Sequence, residues 1–408
     1  MKAGLPKLVF VLSLAIASMV QFHVSPEVPQ AAASEVAPSA LADLHSGERG
    51  GPGSGLPTCA PGVEFLGFSD ALNKTAFGGF DVVELSGLTY DRRLGTYYAV
   101  ADRAGPVESH VFTLDIPVAA ESVGVPSIMG VTVLKDAVGT PFNGSTFDGE
   151  GIVLTRHNEI IIASEGGSAA DQQPEIRRFS LGGDHLGELP VPAKFLIGRN
   201  NLSFESLALS PNGHGLFTIN EGPLAADGRT ADLRSRLRII HYEDRGGLLE
   251  PVAEYFYLTE PGRNVSDVGA VEMIALSEDD LLVLERGFVA GSGNTIRIFR
   301  VSVEDAEDVS GEPTLDAPGL APVVKELVVD VANCPSAGAT SPQVQPNPLL
   351  DNYEAMALGP RLPGGRRALL LMSDDNASPT QVTRIVALAV PTRDLVGDDD
   401  DEDGGNGD

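Results

Sequence analysis

The chain has 408 residues, 42% of them hydrophobic, which is enough for a large buried core and excludes global disorder. Its 28 Lys and Arg residues face 57 Asp and Glu residues, so the formal net charge is -29. Such a surface repels phosphate backbones and anionic membranes and attracts cations, so nucleic acid is not expected as a partner.

The N-terminal segment is typical of a secretory signal peptide. Lys2 and Lys7 precede or flank an apolar run over residues 8–20, and alanines at 31–33 suit a cleavage site. We predict a signal peptide over residues 1–33 and a secreted or periplasmic mature protein; an uncleaved N-terminal anchor is the alternative. No other stretch is long and apolar enough to span a bilayer, so we expect no membrane insertion of the mature chain.

Two segments flank the predicted domain. Residues 34–58 are rich in Ser, Pro, Ala and Gly and predict a flexible linker. Residues 393–408 carry a run of Asp and Glu, which predicts a disordered acidic tail because like charges cannot pack together. A low-affinity calcium-binding tail is the alternative. The domain itself is expected over residues 59–392.

The body of the chain repeats a pair of short β-strands five times. The first strand of each pair begins with a glutamate, and the second ends in an acidic residue. The leading residues are Glu84, Glu150, Glu205, Glu272 and Glu354, and the closing residues are Asp102, Glu165, Glu221, Glu285 and Asp374. Third and fourth strands follow as β-branched and aromatic runs bounded by Gly, Pro, Asn and Asp.

Four antiparallel strands per repeat, arranged around a ring, indicate an all-β fold of the β-propeller type. The fifth repeat lacks a fourth strand, and residues 63–68 can supply it from the N-terminal side. We therefore predict five four-stranded blades closed by the N-terminal strand. Six blades are the alternative if the long fourth interval hides a degenerate unit. A two-sheet sandwich would leave the five matching glutamates unexplained.

The chain has two cysteines, Cys59 and Cys334. Cys59 lies just before the closing strand, and Cys334 follows the outer strand of the preceding blade. Because adjacent blades could bring them together in an exported protein, we predict a disulfide between them. Two unpaired thiols are the alternative.

The two acidic series should meet at one end of the channel. Consecutive strands run antiparallel, so the start of the first strand and the end of the second lie on the same rim. Up to ten carboxylates would then share one mouth, which requires raised pKa values, basic neighbours such as Arg103 and Arg286, or bound cations. Calcium suits such a site, and we predict all ten acidic residues as candidate ligands. Further oxygen atoms could come from Asp148, Asn220, Asn352, Asp375 and Asn376.

A structural role is the alternative for these glutamates, because each blade needs hydrogen bonds to the backbone of its neighbour. Other catalytic signatures are missing from the sequence: there is no strict G-x-S-x-G, H-E-x-x-H, C-x-x-C or P-loop motif, and the histidines fall singly. Any catalysis must therefore depend on carboxylates, arginines and a bound metal.

Several of the repeated motifs resemble one family. The motifs E-L-S-G-L-T-Y-D, F-D-G-E-G-I, F-E-S-L-A-L, V-L-E-R-G, N-Y-E-A-M-A and S-D-D-N-A-S-P-T-Q resemble the phytase-like family described as having esterase-like activity of phytase. The resemblance covers roughly residues 62–390 and implies a secreted, propeller-like hydrolase of phosphate or carboxylic esters. The matching positions are Glu84, Glu150, Glu205, Glu285, Arg286, Glu354, Asp374, Asp375 and Asn376. Ala377 stands where the family pattern leads us to expect an aromatic residue.

The residues and the resemblance favour a metal-assisted hydrolase. In this hypothesis, calcium at the acidic mouth neutralises a phosphate ester and lowers the pKa of an attacking water, and an arginine stabilises the developing charge. The predicted catalytic residues are Glu205, Glu354, Arg103 and Arg286. We expect a monomer acting on a small-molecule ester. The competing hypothesis is a propeller that binds a ligand or a protein without turnover.

Overall fold

The computed structural model describes residues 55–102, 105–166, 173–196, 202–262 and 268–392. The predicted signal peptide, the linker up to residue 54, the acidic tail and Arg103 lie outside these residues. Within them, the regular structure consists of β-strands and one 3-10 turn, Val331–Asn333. No helix in the described part of the chain is long and apolar enough to cross a membrane.

Along the chain, a set of N-terminal strands precedes five blades. The N-terminal strands are β1 (Thr58–Ala60), β2 (Val63–Ser69), β3 (Thr75–Phe77) and β4 (Phe80–Val82). Blade 1 and its peripheral hairpin comprise β5 (Leu85–Asp91), β6 (Thr96–Ala101), β7 (His110–Asp115), β8 (Val118–Ala119), β9 (Ser122–Val123) and β10 (Ser127–Val133). Blade 2 comprises β11 (Gly149–Leu154), β12 (Glu159–Ser164), β13 (Glu175–Ser180) and β14 (His185–Leu189).

The remaining blades have the same pattern. Blade 3 comprises β15 (Ala208–Leu209), β16 (Gly215–Ile219), β17 (Arg236–Asp244) and β18 (Leu249–Leu258). Blade 4 comprises β19 (Val268–Ala275), β20 (Asp280–Val289), β21 (Gly293–Ser302) and β22 (Val324–Asp330). Blade 5 begins with β23 (Tyr353–Leu362), β24 (Arg366–Ser373) and β25 (Ile385–Pro391). Each pairing between neighbouring strands of a blade is antiparallel.

The first strand of each blade forms a closed ring around the channel. Strand β5 contacts β11, β11 contacts β15, β15 contacts β19, β19 contacts β23, and β23 returns to β5. A ring of five sheets that closes in this way is a five-bladed β-propeller. The predicted fold is confirmed, and the described residues form neither a sixth blade nor a two-sheet sandwich.

The N-terminal strand completes the last blade. Strand β2 pairs antiparallel with β25, from Glu64 opposite Ala389 to Ser69 opposite Ile385, and β1 adds a further strand outside it. The predicted closure by residues 63–68 is confirmed. Propeller closure by strands from opposite ends of the chain removes an exposed sheet edge, which would otherwise be a site of aggregation.

The predicted disulfide joins Cys59 to Cys334, with an S–S distance of 2.05 Å. Cys59 lies on β1, and Cys334 directly follows the 3-10 turn at the end of blade 4. Both cysteines belong to the apolar cluster that fills the space between blades 4 and 5. The bridge therefore fixes the closing strands to the neighbouring blade.

The core lies between the faces of adjacent blades. One cluster joins blades 4 and 5, and another joins blades 5 and 1, where Ala368, Leu370 and Met372 pack against Leu85 and Ala99. Because each blade is covered on both faces, alternate residues of a strand enter two different clusters. This explains why strands such as β24 are continuous apolar runs instead of alternating polar and apolar residues.

Candidate functional site

The inner strands carry a register irregularity near their starts, and it determines which side chains point into the channel mouth. The pairing shifts between Leu85 and Gly87 in β5, and equivalent shifts occur in β11, β19 and β23. In blade 3 the equivalent position follows the bridge from Phe204 to Asn220. Bulges of this kind redirect side chains and often lie beside functional sites. We call the residues at this position the inner ring: Ser86, Glu150, Glu205, Val271 and Glu354.

A second ring lies beside the first. In each blade it is the residue that follows the second-strand partner of the residue just before the inner-ring position, for example Glu165 after Ser164, which pairs with Gly149. The same rule selects Arg286 in blade 4, because Glu285 pairs with Ala270. We call this set the outer ring: Asp102, Glu165, Glu221, Arg286 and Asp374. Four acidic residues and one arginine therefore surround the inner ring.

In blades 1 and 4, the residues predicted from the sequence are not the ones that occupy the ring positions. Ser86 takes the place expected for Glu84, and Val271 and Arg286 take the places expected for Glu272 and Glu285. Each of these three glutamates lies within two residues of the true ring position, which explains the prediction. The pairing instead shows that the inner-ring residue is uncharged in both blades, so the two complete rings of five carboxylates that we expected do not form.

Glu272 has the structural role that the sequence left as an alternative. It is 2% exposed, and its carboxylate accepts a hydrogen bond from the backbone N–H of Met273 at 3.0 Å. It also accepts backbone hydrogen bonds from Leu207 and Met356, which belong to the two neighbouring blades. Burial nevertheless raises the pKa of Glu272 well above its usual range. This carboxylate links three consecutive blades inside the channel.

Glu285 and Glu84 also lie apart from the acidic cluster. The Glu285 carboxylate accepts hydrogen bonds from the Tyr257 hydroxyl at 2.7 Å and from Lys325 Nζ at 2.6 Å. Glu84 adopts a left-handed backbone conformation with φ 56°, and its N–H donates to Asp375 Oδ1 at 3.1 Å. Its carbonyl accepts a hydrogen bond from the N–H of Asp102 at 2.8 Å, so Glu84 shapes the backbone beside the rings.

The remaining acidic residues form two groups at the channel mouth. In the first, Glu165, Glu205 and Glu221 are all buried, and one carboxylate oxygen from each lies within 4.8 Å of the others. In the second, Asp102, Asp148 and Glu150 satisfy the same criterion. Glu150 also accepts a hydrogen bond from Ser86 Oγ at 2.5 Å, so the uncharged inner-ring residue of blade 1 supports the acidic one of blade 2.

Glu205 is the centre of the first group, which we call the acidic triad. Its carboxyl is hydrogen-bonded to both Glu165 and Glu221. A hydrogen bond between two carboxyl groups requires a proton on one of them. Burial and the neighbouring carboxylates raise the pKa of Glu205 well above its usual range, and burial raises the pKa of Glu165 to about 7. Without added positive charge, the triad must hold protons at neutral pH.

Arg286 supplies positive charge beside the triad. Its Nη2 lies 2.7 Å from Glu221 Oε1 and 3.0 Å from Glu354 Oε1, and its Nη1 donates to Asn352 Oδ1 at 2.8 Å. Burial lowers the pKa of Arg286, but the charges of Glu354, Glu221 and Glu205 outweigh burial, so the net shift is upward. One fixed cation therefore faces several carboxylates.

A model of one protein family, described as "Phytase-like: Esterase-like activity of phytase", matches residues 80–377. The chain belongs to this family. No curated protein matches it. Among solved structures, it is similar to a periplasmic gluconolactonase of Pseudomonas aeruginosa, with 12% identity over 78% of this chain and 88% of that one and a TM-score of 0.31. It is also similar to a glycosyl hydrolase of Bacteroides ovatus, with 8% identity over 82% and 92% and a TM-score of 0.38. Similarities this low carry no argument about function.

The closing S-D-D-N motif of this phytase-like protein shapes a tight turn beside the outer ring. Asp374 is an outer-ring residue, whereas Asp375 binds Lys74 Nζ at 2.5 Å and the Thr383 hydroxyl at 3.0 Å. Asn376 and Ala377 both have φ 47°, and the N–H of Asn376 donates to Asp374 at 2.7 Å. Burial and the nearby Glu354 raise the pKa of Asp374 well above its usual range.

Sequence reasoning missed the contributions of Ser86 and Lys74. The signal for Ser86 was present, because S-G-L in blade 1 matches E-G-I in blade 2 when the glycines are aligned. A side chain on either Gly87 or Gly151 would collide with the backbone of the next inner strand, which explains the small residues there. The long-range contact of Lys74 with Asp375 left no sequence signal.

Proposed function

We propose that this protein is a calcium-assisted ester hydrolase and that its active site is the acidic cluster at the channel mouth. The substrate would be a small-molecule phosphate monoester or carboxylic ester. The observation that carries the proposal is the acidic triad: three buried carboxylates with oxygens within 4.8 Å of one another and a shortage of positive charge. Membership of a family described by its esterase-like activity supports the choice of ester hydrolysis.

The donor set fits calcium. Calcium takes six to eight oxygen ligands and accepts several carboxylates in flexible geometry. Glu165, Glu205 and Glu221 would hold the ion, and Asp102, Asp148 and Glu150 offer a second set of the same chemistry. A bound divalent cation would neutralise the carboxylates and lower the pKa of a coordinated water.

The protein's own side chains would supply the remaining catalytic roles. Glu165, with its pKa near 7 in the metal-free protein, would release its proton when it binds the ion. Arg286 is held by Glu221 and Glu354 and would stabilise negative charge on the ester oxygens. Glu205 would act as a ligand and Glu354 as a positioning residue for the arginine. Arg103, also predicted as catalytic, lies outside the described residues.

The same proposal includes export and a monomeric state. The disulfide between Cys59 and Cys334 is typical of proteins that fold in an oxidising compartment, which supports a secreted or periplasmic location. Closure of the blade by the chain's own N-terminal strand leaves no strand to be donated by a second copy, which supports a monomer.

The test is an assay of the purified protein on a phosphomonoester and a short acyl ester, with calcium and with a chelator. We expect hydrolysis of at least one substrate with calcium and its loss with chelator. Glu165→Gln should lower kcat by about tenfold or more, because it removes a carboxylate ligand of the calcium. Glu326→Gln, which removes an exposed carboxylate from the outermost strand of blade 4, should leave activity unchanged.

Two results would contradict the proposal in different ways. Activity that survives chelation would remove the metal from the mechanism. Calcium binding at the triad without hydrolysis of either ester would instead favour a binding protein.

A further inference from the structure

The end of the channel opposite the acidic cluster is lined by arginines. A cavity of about 370 Å³ opens there, and Arg92, Arg93, Arg156 and Arg367 contribute to its wall. Among the described residues that line it, the only carboxylate is Asp91, which is paired with Arg93 at 3.4 Å. We call this end the basic mouth. In a chain of net charge -29, a mouth with an excess of positive charge is not what composition predicts.

Apart from Arg93, which pairs with Asp91, the arginines at this end of the channel lack acidic partners among the residues that the structure describes. In the described part of the chain, no carboxylate lies within ion-pair distance of Arg92, Arg156 or Arg367, nor of Arg361, which is not part of the cavity wall but pairs with Arg367 across β23 and β24. Arg156 makes only long contacts, 3.4 Å to the carbonyl of Asn212 and 3.4 Å to His157. Arg367 donates from Nε to the carbonyl of Gly359 at 3.1 Å. Charge compensation from the protein itself is therefore absent among these residues.

Two of these arginines repel each other directly. Arg361 and Arg367 are opposite one another in the pairing of β23 with β24, and like charges in that position destabilise a sheet. Burial, together with the charges of Arg92 and Arg361, lowers the pKa of Arg367 to about 10. The repulsion is a cost that a bound anion would relieve, because guanidinium groups match the oxygens of phosphates and carboxylates.

The inner wall of the cavity is apolar. Each blade contributes one side chain, at or just before its inner strand and two residues after the inner-ring position, and each is at most 3% exposed. This layer consists of Leu88, Ile152, Leu207, Met273 and Met356. The cavity is at the small end of the volume range for ligand pockets, and the combination of an apolar wall with a few polar groups is typical of them.

A buried hydroxyl lies close to the same arginines. Tyr97 is 1% exposed, and its hydroxyl has no hydrogen-bond partner among the described residues. Its ring lies 4.6 Å from that of Tyr90, which lines the cavity, and the charge of Arg367 acts on it. An unpaired buried hydroxyl is rare in proteins and indicates a missing partner.

We propose that the basic mouth binds a small organic anion, with a phosphate or carboxylate group at the arginines and an apolar body against the buried layer. This site is separate from the acidic cluster and does not depend on calcium. Arg92 and Arg361 bring the charge from two adjacent blades, and the layer formed by the inner strands separates the ligand from the opposite mouth.

The test is isothermal titration calorimetry on metal-free protein with phenylphosphonate, whose carbon–phosphorus bond is not an ester and survives any hydrolase activity. Benzoate replaces the phosphonate by a carboxylate, inorganic phosphate removes the apolar body, and benzyl alcohol removes the charge. We expect phenylphosphonate or benzoate to bind at one site. Inorganic phosphate should bind at least tenfold more weakly, and benzyl alcohol should not bind measurably.

Variants locate the site. The double variant Arg92→Gln/Arg361→Gln changes two exposed side chains and should weaken binding at least tenfold, with a melting temperature no lower than that of the wild type as the check on folding. Arg178→Gln is the matched control, because that guanidinium is already paired with Glu159 at 2.7 Å, and it should not affect binding. Glu205→Gln, at the acidic mouth, should not affect binding either.

Three outcomes would overturn the proposal. The first is no binding of either organic anion. The second is binding that persists undiminished in the double arginine variant. The third is a change in affinity on Glu205→Gln, which would place the anion at the acidic mouth.

Discussion

Glu165 and Glu272 are both buried glutamates of the channel, but replacing each by glutamine should change the free energy of unfolding in opposite directions. Glu165 lies in the acidic triad, where burial raises its pKa to about 7. Glu272 lies among backbone N–H groups and has no acidic cluster around it. Glutamine keeps the size of the side chain and one acceptor oxygen. In Glu165→Gln, that oxygen can still accept the 2.6 Å hydrogen bond from the N–H of Ser203.

The size of the expected change in the free energy of unfolding follows from the pKa shift of Glu165. Its value rises from 4.5 to about 7 on folding, so its favourable effect is complete below pH 4.5 and is lost as the pH rises through 7. Above pH 7 the ionised group opposes folding by about 3 kcal/mol. At pH 8 without metal, Glu165→Gln should therefore raise the free energy of unfolding, by up to that amount. The pKa of Glu272 is also raised by burial, but three backbone N–H groups converge on its carboxylate, so Glu272→Gln places an amide N–H₂ against backbone donors and should lower the free energy of unfolding.

Calcium should reduce the stability advantage of Glu165→Gln over the wild type. At about 100 times its dissociation constant, a ligand that binds only the folded state stabilises it by about 2.7 kcal/mol. If loss of one carboxylate weakens binding tenfold, the same calcium concentration stabilises Glu165→Gln by only about 1.4 kcal/mol. Glu272→Gln should keep the full calcium effect of the wild type. Magnesium should stabilise less, since it requires a stricter octahedral geometry.

The assay is denaturant unfolding at pH 8, with millimolar calcium and with chelator, on the wild type and both variants. Destabilisation of Glu165→Gln by equal amounts with and without calcium would refute the reasoning. In that case Glu165 would be a structural hydrogen-bond acceptor of the same kind as Glu272.

Three further predictions concern the frame of the site. Deleting residues 63–68 should prevent folding because β2 completes blade 5, whereas deleting residues 34–54 should leave the melting temperature unchanged; equal melting temperatures would contradict the closure. Reduction of the Cys59–Cys334 bridge, which spans 275 residues, should lower the free energy of unfolding by about 5 kcal/mol, measured with and without reductant; an unchanged value would show that the bridge constrains nothing. Arg286→Met should cost about 3–5 kcal/mol in chelator, because Glu221 and Glu354 lose their partner, and calcium should restore part of it; a loss below about 1 kcal/mol would show that the ion pairs contribute little.

The fold could be predicted from sequence because every blade repeats the same strand pattern, and the missing strand of the last blade had one evident source. The acidic triad was also within reach, since Glu165, Glu205 and Glu221 lie on two consecutive, well-aligned blades. The ring residues of blades 1 and 4 could not be predicted in the same way. An alignment based on charge selects Glu84 and Glu272, but the ring positions there hold Ser86 and Val271.

The apolar layer indicates the ring positions more reliably than the pattern of charged residues does. In each inner strand the ring position precedes, by two residues, a large apolar side chain such as Leu88 or Met273. Packing in the channel imposes that residue in all five blades, whereas charge at the mouth varies from blade to blade. Contacts such as Lys74 with Asp375 depend on the closed ring and have no local pattern in the sequence.

Because β2 pairs with β25, the last blade can close only after the end of the domain has been synthesised. Strand β2 is among the first parts of the domain to be synthesised, yet its hydrogen-bonding partner extends to Pro391 and is made last. Until then the backbone N–H and C=O groups of β2 lack this partner strand. Cys59 cannot form its disulfide either, because Cys334 lies 275 residues later in the chain. A premature stop between Ser373 and Ile385 therefore yields a chain whose last blade is open, because β25 is missing. Such a chain cannot form the ring, however complete its other four blades are.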